Sequence, residues 1–116
     1  MKRGDVYDAR LDPTEGSEQA GIRPVIIVSR NAINAASSVL LAVPCTTYRQ
    51  GRRIYPSQVL ISKPAGGLTR DSVALAEQVR VLAKTRLLQR RGSLSSKDLR
   101  KLDRALAIAL DLEKEG

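Results

Sequence analysis

Hydrophobic positions fall in short bursts along most of the chain, and only toward the C-terminal end do they recur at helical spacing. In residues 3–11 the order Arg-Gly-Asp-Val-Tyr-Asp-Ala-Arg-Leu puts Asp5, Tyr7, Ala9 and Leu11 on one face of a first strand, with imperfect alternation. Residues 24–29 (Pro-Val-Ile-Ile-Val-Ser) and 38–43 (Ser-Val-Leu-Leu-Ala-Val) are apolar or β-branched runs bounded by polar residues. That pattern predicts two central strands buried on both faces. After a basic hairpin connection over residues 46–55, strand character resumes at 57–62, and Pro64, Gly66 and Gly67 punctuate the next turn. The run 72–82 fits helical and strand periods alike; its position after a loop and its valines at 73, 79 and 81 favour strand. Ser95 or Ser96 can cap a helix in which Leu99, Leu102, Leu106 and Leu110 repeat at spacings of three and four. This amphipathic C-terminal helix carries Lys97, Arg100, Lys101 and Arg104 on its other face, in keeping with a solvated surface.

Residues 12–22 are dense in turn formers and polar groups and read as a long exposed loop, a kind that is often functional. The length of 116 residues predicts one domain, 1–116, with a single core. Composition changes this picture chiefly through charge. A formal net charge of +8 on so small a body attracts polyanions, nucleic acid first among them, although basic residues also simply solubilise surfaces. Nine Lys and Arg residues fall between Arg80 and Arg104, against only Asp98 and Asp103. The one cysteine, Cys45, ends the apolar run 39–45 and fits a reducing cytoplasm; no signal core or membrane-length apolar segment is present.

Several chemistries are excluded. With no histidine, imidazole-based triads and the paired-imidazole route to RNA cleavage are gone. One cysteine and no histidine leave no zinc set, and Asp5, Asp8, Glu15 and Glu18 are neighbours only in sequence, so no metal is assigned. The chain has neither a Walker-type loop nor a Gly-x-Gly-x-x-Gly turn, and no cofactor is expected. Without Phe or Trp, base stacking rests on Tyr7, Tyr48 and Tyr55. Tyr48 and Tyr55 flank Arg49, Arg52 and Arg53, which combines stacking faces with phosphate-binding guanidinium groups; an ordinary basic hairpin has the same composition.

The opening Arg3-Gly4-Asp5-Val6-Tyr7 is followed by Asp12-Pro13-Thr14-x-Gly16-Ser17-Glu18-Gln19-Ala20-Gly21-x-Arg23-Pro24-Val25. Together with Val43-Pro44-Cys45-Thr46-Thr47 and the segment 71–80 (Asp-Ser-Val-Ala-Leu-Ala-Glu-Gln-Val-Arg), it resembles the MazF/PemK toxins over nearly the whole chain. The C-terminal helix matches by pattern more than by residue. The resemblance implies a β-rich α+β fold: an SH3-like, strongly curved antiparallel β-barrel with short helices and a C-terminal amphipathic helix, commonly a homodimer. It also implies a toxin endoribonuclease of a toxin-antitoxin system. Such an enzyme cuts single-stranded RNA at a short motif without metal, by attack of the ribose 2′-OH, leaving a cyclic phosphate and a 5′-OH.

Carried over by motif, the catalytic pair is Arg23 and Thr46. Arg23 offers a fixed fork of donors to the phosphorane as its charge grows, and Thr46 adds a hydroxyl bond to a phosphoryl oxygen. Outside the motif, Arg23 would read as a loop ion pair with Glu18 and Thr46 as a strand-end hydrogen bond. Three acceptors stand open for the 2′-OH proton: Glu18, Arg23 itself in an unusual setting, and solvent assisted by Ser17 or Gln19. Ser17 and Gln19 are supporting loop residues for RNA, and Gln78 of the second matching segment is assigned to RNA contact with them. Tyr48, Arg49, Arg52 and Arg53 are assigned to RNA from charge alone. Two other functions compete: a gyrase poison on the related CcdB-like fold, centred on the C-terminal helix, and a non-catalytic RNA-binding module. The expected partners are single-stranded RNA and an acidic antitoxin whose extended segment competes for the same cationic groove.

Overall fold

Short β-branched and apolar runs become seven strands: β1 (Asp5–Arg10), β2 (Ile22–Ile27), β3 (Val39–Thr47), β4 (Gln58–Ile61), β5 (Ser72–Leu75), β6 (Arg80–Ala83) and β7 (Leu87–Ser93). Two helices join them, α1 (Asn31–Ala36) and α2 (Ser96–Ala109). The computed structural model describes residues 1–113, so the last three positions of the domain expected over 1–116 lie outside it. All strand pairs are antiparallel, and the path β4-β5-β3-β2-β1-β7 is open at both ends, with β6 against the first half of β3. This is the β-rich, curved antiparallel architecture with a C-terminal helix that the resemblance implies.

The single core expected from length is divided by the sheet into two clusters. Along β2, Ile26 and the following Val28 enter the first cluster, while Val25 and Ile27 enter the second. β3 alternates likewise, with Val43 and Cys45 on one side and Leu40 and Ala42 on the other. Successive strand side chains point to opposite faces, so continuous apolar runs are what a doubly covered strand requires. In β1, Tyr7, Ala9 and Leu11 share a face as expected, and Val6 packs on the opposite one. Asp5 is buried as well, its carboxylate accepting from the Ser93 hydroxyl at 2.7 Å and the Lys2 N–H at 2.9 Å.

β5 and β6 are one antiparallel run along β3, interrupted by a 3-10 turn at Ala76–Gln78. Cys45 pairs with Ala74 and Ala42 with Arg80, so the run carries three extra residues in this interval. An odd insertion exchanges the two faces, and for that reason residues 72–82 fit no one period. Pro44, which lacks an N–H, lies opposite the interruption.

Ser95 caps α2, its hydroxyl accepting from the Asp98 N–H at 3.1 Å. Leu102 and Ala105 are buried in the first cluster, with Leu99 and Leu106 packed against it. Leu110 departs from expectation: it lies beyond the last helical residue and is exposed. Two elements escaped the sequence pattern, the short helix α1 and the largely polar strand β7.

Candidate active site

The sheet splits where β2 and β3 part. Their pairing ends at Val25 opposite Pro44, while the start of β2 stays paired with β1 and the end of β3 stays paired with β5. A cleft of about 190 Å³ occupies this fork. Ile22, Arg23 and Pro24 line one side, and Cys45, Thr46 and Thr47 the other. Continuing the strand register past the last pair sets Arg23 across from Thr46, on the face of Val25 and Pro44. The two residues proposed from the motif thus meet at one opening. Arg23 is half-buried and donates from Nε to the Ala20 carbonyl at 3.0 Å, so the ion pair with Glu18 is not formed. Thr46 is half-buried, and its hydroxyl has no hydrogen-bond partner among the described residues.

The rest of the wall was not foreseen. Leu68, Thr69 and Arg70 come from the turn after β4, Ser72 from β5 and Arg91 from β7. Arg70 is exposed and has no acidic partner among the described residues, whereas the Arg91 Nε donates to Asp8 Oδ1 at 2.9 Å. Three arginines and several hydroxyl-bearing residues therefore line the cleft, with no carboxylate among the described residues of its lining, a residue set suited to an anion with several oxygens. Only the three-dimensional fork adds Arg70 and Arg91 to the same lining as Arg23; for Arg91 the one available sequence signal was the excess of basic residues after Arg80.

Ser17, Glu18 and Gln19 sit in the loop between β1 and β2. Gln78 fastens that loop, its Oε1 accepting from the Gln19 N–H at 3.0 Å and its Nε2 donating to the Ser17 carbonyl at 3.2 Å. Glu18 is exposed; its carboxylate accepts from the Glu15 N–H at 3.2 Å. A second cleft is lined by Glu18, Gln19, Pro44, Glu77, Gln78 and Arg80. Pro44 shares a strand face with Thr46, so the two clefts adjoin around the Arg23 and Thr46 positions. Glu18 lines the second cleft and not the first.

The basic connection runs outside both linings. Arg49, Arg52 and Arg53 are exposed, Tyr48 is half-buried with its N–H bonded to the Asp71 carbonyl at 2.8 Å, and the Arg53 guanidinium stacks on Tyr55 at 4.9 Å. Behind the fork, burial pushes the Cys45 thiol up to about 12. Such a thiol is inert at neutral pH and serves as apolar packing behind Thr46. Among the described residues, no three of His, Cys, Asp or Glu gather into a group able to hold a metal ion, and no helix is long and apolar enough to cross a membrane.

Known proteins match this chain along almost its entire length. The sequence pattern of the PemK-like, MazF-like toxins of type II toxin-antitoxin systems matches residues 2–110. An endoribonuclease of Mycobacterium tuberculosis, MazF9, is 40% identical over 117 residues, covering 97% of this chain and 98% of that protein. The endoribonuclease MazF of Staphylococcus saprophyticus is 42% identical over 112 residues, covering 97% of this chain and 92% of its own. Among solved structures, a mycobacterial endoribonuclease in complex with its cognate antitoxin superposes with a TM-score of 0.80 at 30% identity, covering 99% of each chain.

Proposed function

The chain belongs to the PemK-like, MazF-like toxin family of type II toxin-antitoxin systems, and from that premise we propose that it is an endoribonuclease that cuts single-stranded RNA within a short motif without a metal ion. The ribose 2′-oxygen attacks the adjacent phosphorus, the bond to the 5′-oxygen breaks, that oxygen takes a proton from water, and the products are a cyclic phosphate and a 5′-OH. Negative charge grows on the non-bridging oxygens as the phosphorane forms. Arg23 donates to those oxygens through its planar N–H groups, and the Thr46 hydroxyl, which has no partner among the described residues, adds a further bond. Donors already fixed at the fork need little rearrangement as the charge develops.

The observation that carries this reading is the presence of Arg23 and Thr46 on the wall of one cationic cleft. The absence of histidine in the sequence excludes imidazole as the base. Because no carboxylate among the described residues lines the fork, the 2′-proton passes to water there or to Glu18 in the second cleft. A pH-rate profile decides between them: Glu18→Gln removes the acidic limb if Glu18 is the base and leaves it in place if water is. On the same reading the protein acts as a homodimer in the cytoplasm, and an acidic antitoxin segment silences it by occupying the cationic groove.

Purified protein incubated with chelator and single-stranded RNA is the direct test. Fragments ending in cyclic phosphate are expected, with Arg23→Ala and Thr46→Ala each slowed by about 100-fold or more, the typical loss for one oxyanion donor. Intact RNA, or cleavage by Arg23→Ala at the unaltered rate, would overturn the assignment. If growth arrest instead followed changes at the end of α2, a gyrase-poison function would replace it.

A further inference from the structure

The sheet ends at β4, whose only strand partner is β5. One step before Gln58 opposite Leu75, the Ser57 carbonyl accepts from the Ala76 N–H at 3.1 Å. Bonded positions alternate in an antiparallel pair, so Val59 and Ile61 bond to β5 while the backbone groups of Gln58 and Leu60 turn to the outer edge. The far side of β5 agrees. There the Tyr48 N–H bonds to the Asp71 carbonyl, which makes Thr46 and Val73 a bonded pair and turns Val73, the residue across from Leu60, toward β3. The Gln58 N–H is taken up by the Tyr55 carbonyl at 2.9 Å. The Leu60 N–H, the Leu60 carbonyl and the Gln58 carbonyl have no partner among the described residues.

A groove of about 430 Å³ is lined by Pro56, Gln58, Val59 and Leu60 and, from α2, by Lys101, Arg104, Ala105 and Ile108. Residues 101, 104, 105 and 108 form one helical stripe. It adjoins the face that packs on β4, since Val59 and Ala105 belong to one core cluster. The cations of α2, which on sequence alone read as a solvated face, thus stand over a sheet edge. Lys101 has no acidic partner among the described residues, and Arg104 meets Glu113 at 3.6 Å with both side chains about half exposed. No carboxylate is among the described residues of the groove lining. Charged residues commonly blunt sheet edges; β6 carries Arg80 and β7 Arg90 and Arg91, whereas β4 is Gln-Val-Leu-Ile. Leu60, alternating with the buried Val59 and Ile61, is 41% exposed on the other face.

Independently of the fork, we propose that the β4 edge binds an extended acidic segment of a partner protein, which joins the sheet as a further antiparallel strand. Opposite Leu60, one partner residue donates its N–H to the Leu60 carbonyl and accepts from the Leu60 N–H; the residue two positions on donates to the Gln58 carbonyl. That first residue sets an apolar side chain beside Leu60. Its two neighbours point to the α2 side, where glutamates lay their methylenes over Ala105 and Ile108 and reach Lys101 and Arg104. The two outward carbonyls call for N–H donors, which favours a peptide over the phosphates of RNA.

The probe is a capped, fluorescein-labelled peptide, Gly-Ser-Glu-Leu-Glu-Ser-Gly, titrated by anisotropy while amide hydrogen exchange at Leu60 is followed by NMR. Saturating peptide is expected to slow exchange at Leu60 about tenfold and to leave Val59, already bonded to β5, at its own rate. N-methylation of the peptide leucine removes the N–H owed to the Leu60 carbonyl and should weaken binding about tenfold. Replacing both rim cations, Lys101→Gln with Arg104→Gln, should weaken it about fivefold at low salt. No binding up to about 1 mM peptide, binding that leaves Leu60 exchange unchanged, or affinity indifferent to N-methylation or to the rim cations overturns the proposal. Should the double variant not fold, the N-methyl comparison on the native protein decides. Protection of Leu60 that grows with protein concentration in the absence of peptide assigns the edge to a second copy. Protection by single-stranded RNA, 2′-O-methylated so that it stays intact, assigns it to RNA; either result overturns the proposal as well.

Discussion

Cys45 immediately precedes Thr46 in β3, and no part of its side chain reaches solvent. Desolvation disfavours the thiolate and moves the folded-state value from 9.0 to about 12. The sign of the consequence follows from proton counting. Above pH 9 the unfolded chain releases a proton that the native state still holds, so stability from this group is complete below pH 9 and is lost as pH rises toward 12. Urea midpoints measured on either side of pH 9 should fall on the alkaline side, and Cys45→Ala should flatten that fall. Native protein should also resist a thiol reagent that labels the unfolded chain at once; equal labelling rates would contradict the burial. Arg23 and Thr46 could be proposed from the sequence because they sit in an unbroken motif. Their mutual position could not be, because it depends on two strands parting after a set number of pairs.

Elements were legible wherever one period ran uninterrupted. The leucine spacing and serine cap gave α2, and the apolar runs gave β2 and β3. β7 was lost because Leu87 is its only apolar anchor against the second cluster and most of its residues are polar or charged. The break between β5 and β6 was hidden for the opposite reason, since two good strand segments out of phase imitate a helix. At this scale the turn Ala65–Gly67 carries a sharp prediction. Gly67 has φ +75 and its missing Cβ leaves room for the Arg91 carbonyl, so Gly67→Ala forces both a strained backbone and a collision. A loss of about 3 kcal/mol in unfolding free energy is expected. Gly51→Ala, also at positive φ but with open space around it, should lose only about 1 kcal/mol by the same measurement. Equal losses at the two positions would mean that the turn can move away from β7.

For the molecule as a whole, electrostatics decides how partners arrive. Twenty Lys and Arg residues face twelve Asp and Glu residues, and among the described residues four ion pairs form: Arg3 with Asp103, Arg90 with Asp5, Arg91 with Asp8 and Arg104 with Glu113. Only Arg91 among these paired cations lines the fork, so Arg23 and Arg70 keep their fields there. Long-range steering of a polyanion is screened over about 10 Å at moderate salt, and released counterions make affinity fall as salt rises. Both single-stranded RNA and an acidic peptide should therefore bind less tightly with each increment of salt, and the peptide should displace the RNA when both are present. Arg23→Gln and Arg70→Gln should each reduce the salt dependence for both ligands, since a shared groove presents the same cations to either. Affinity that ignores salt, or a peptide that binds without displacing RNA, would separate the two surfaces and leave the surplus charge without a role in this cleft.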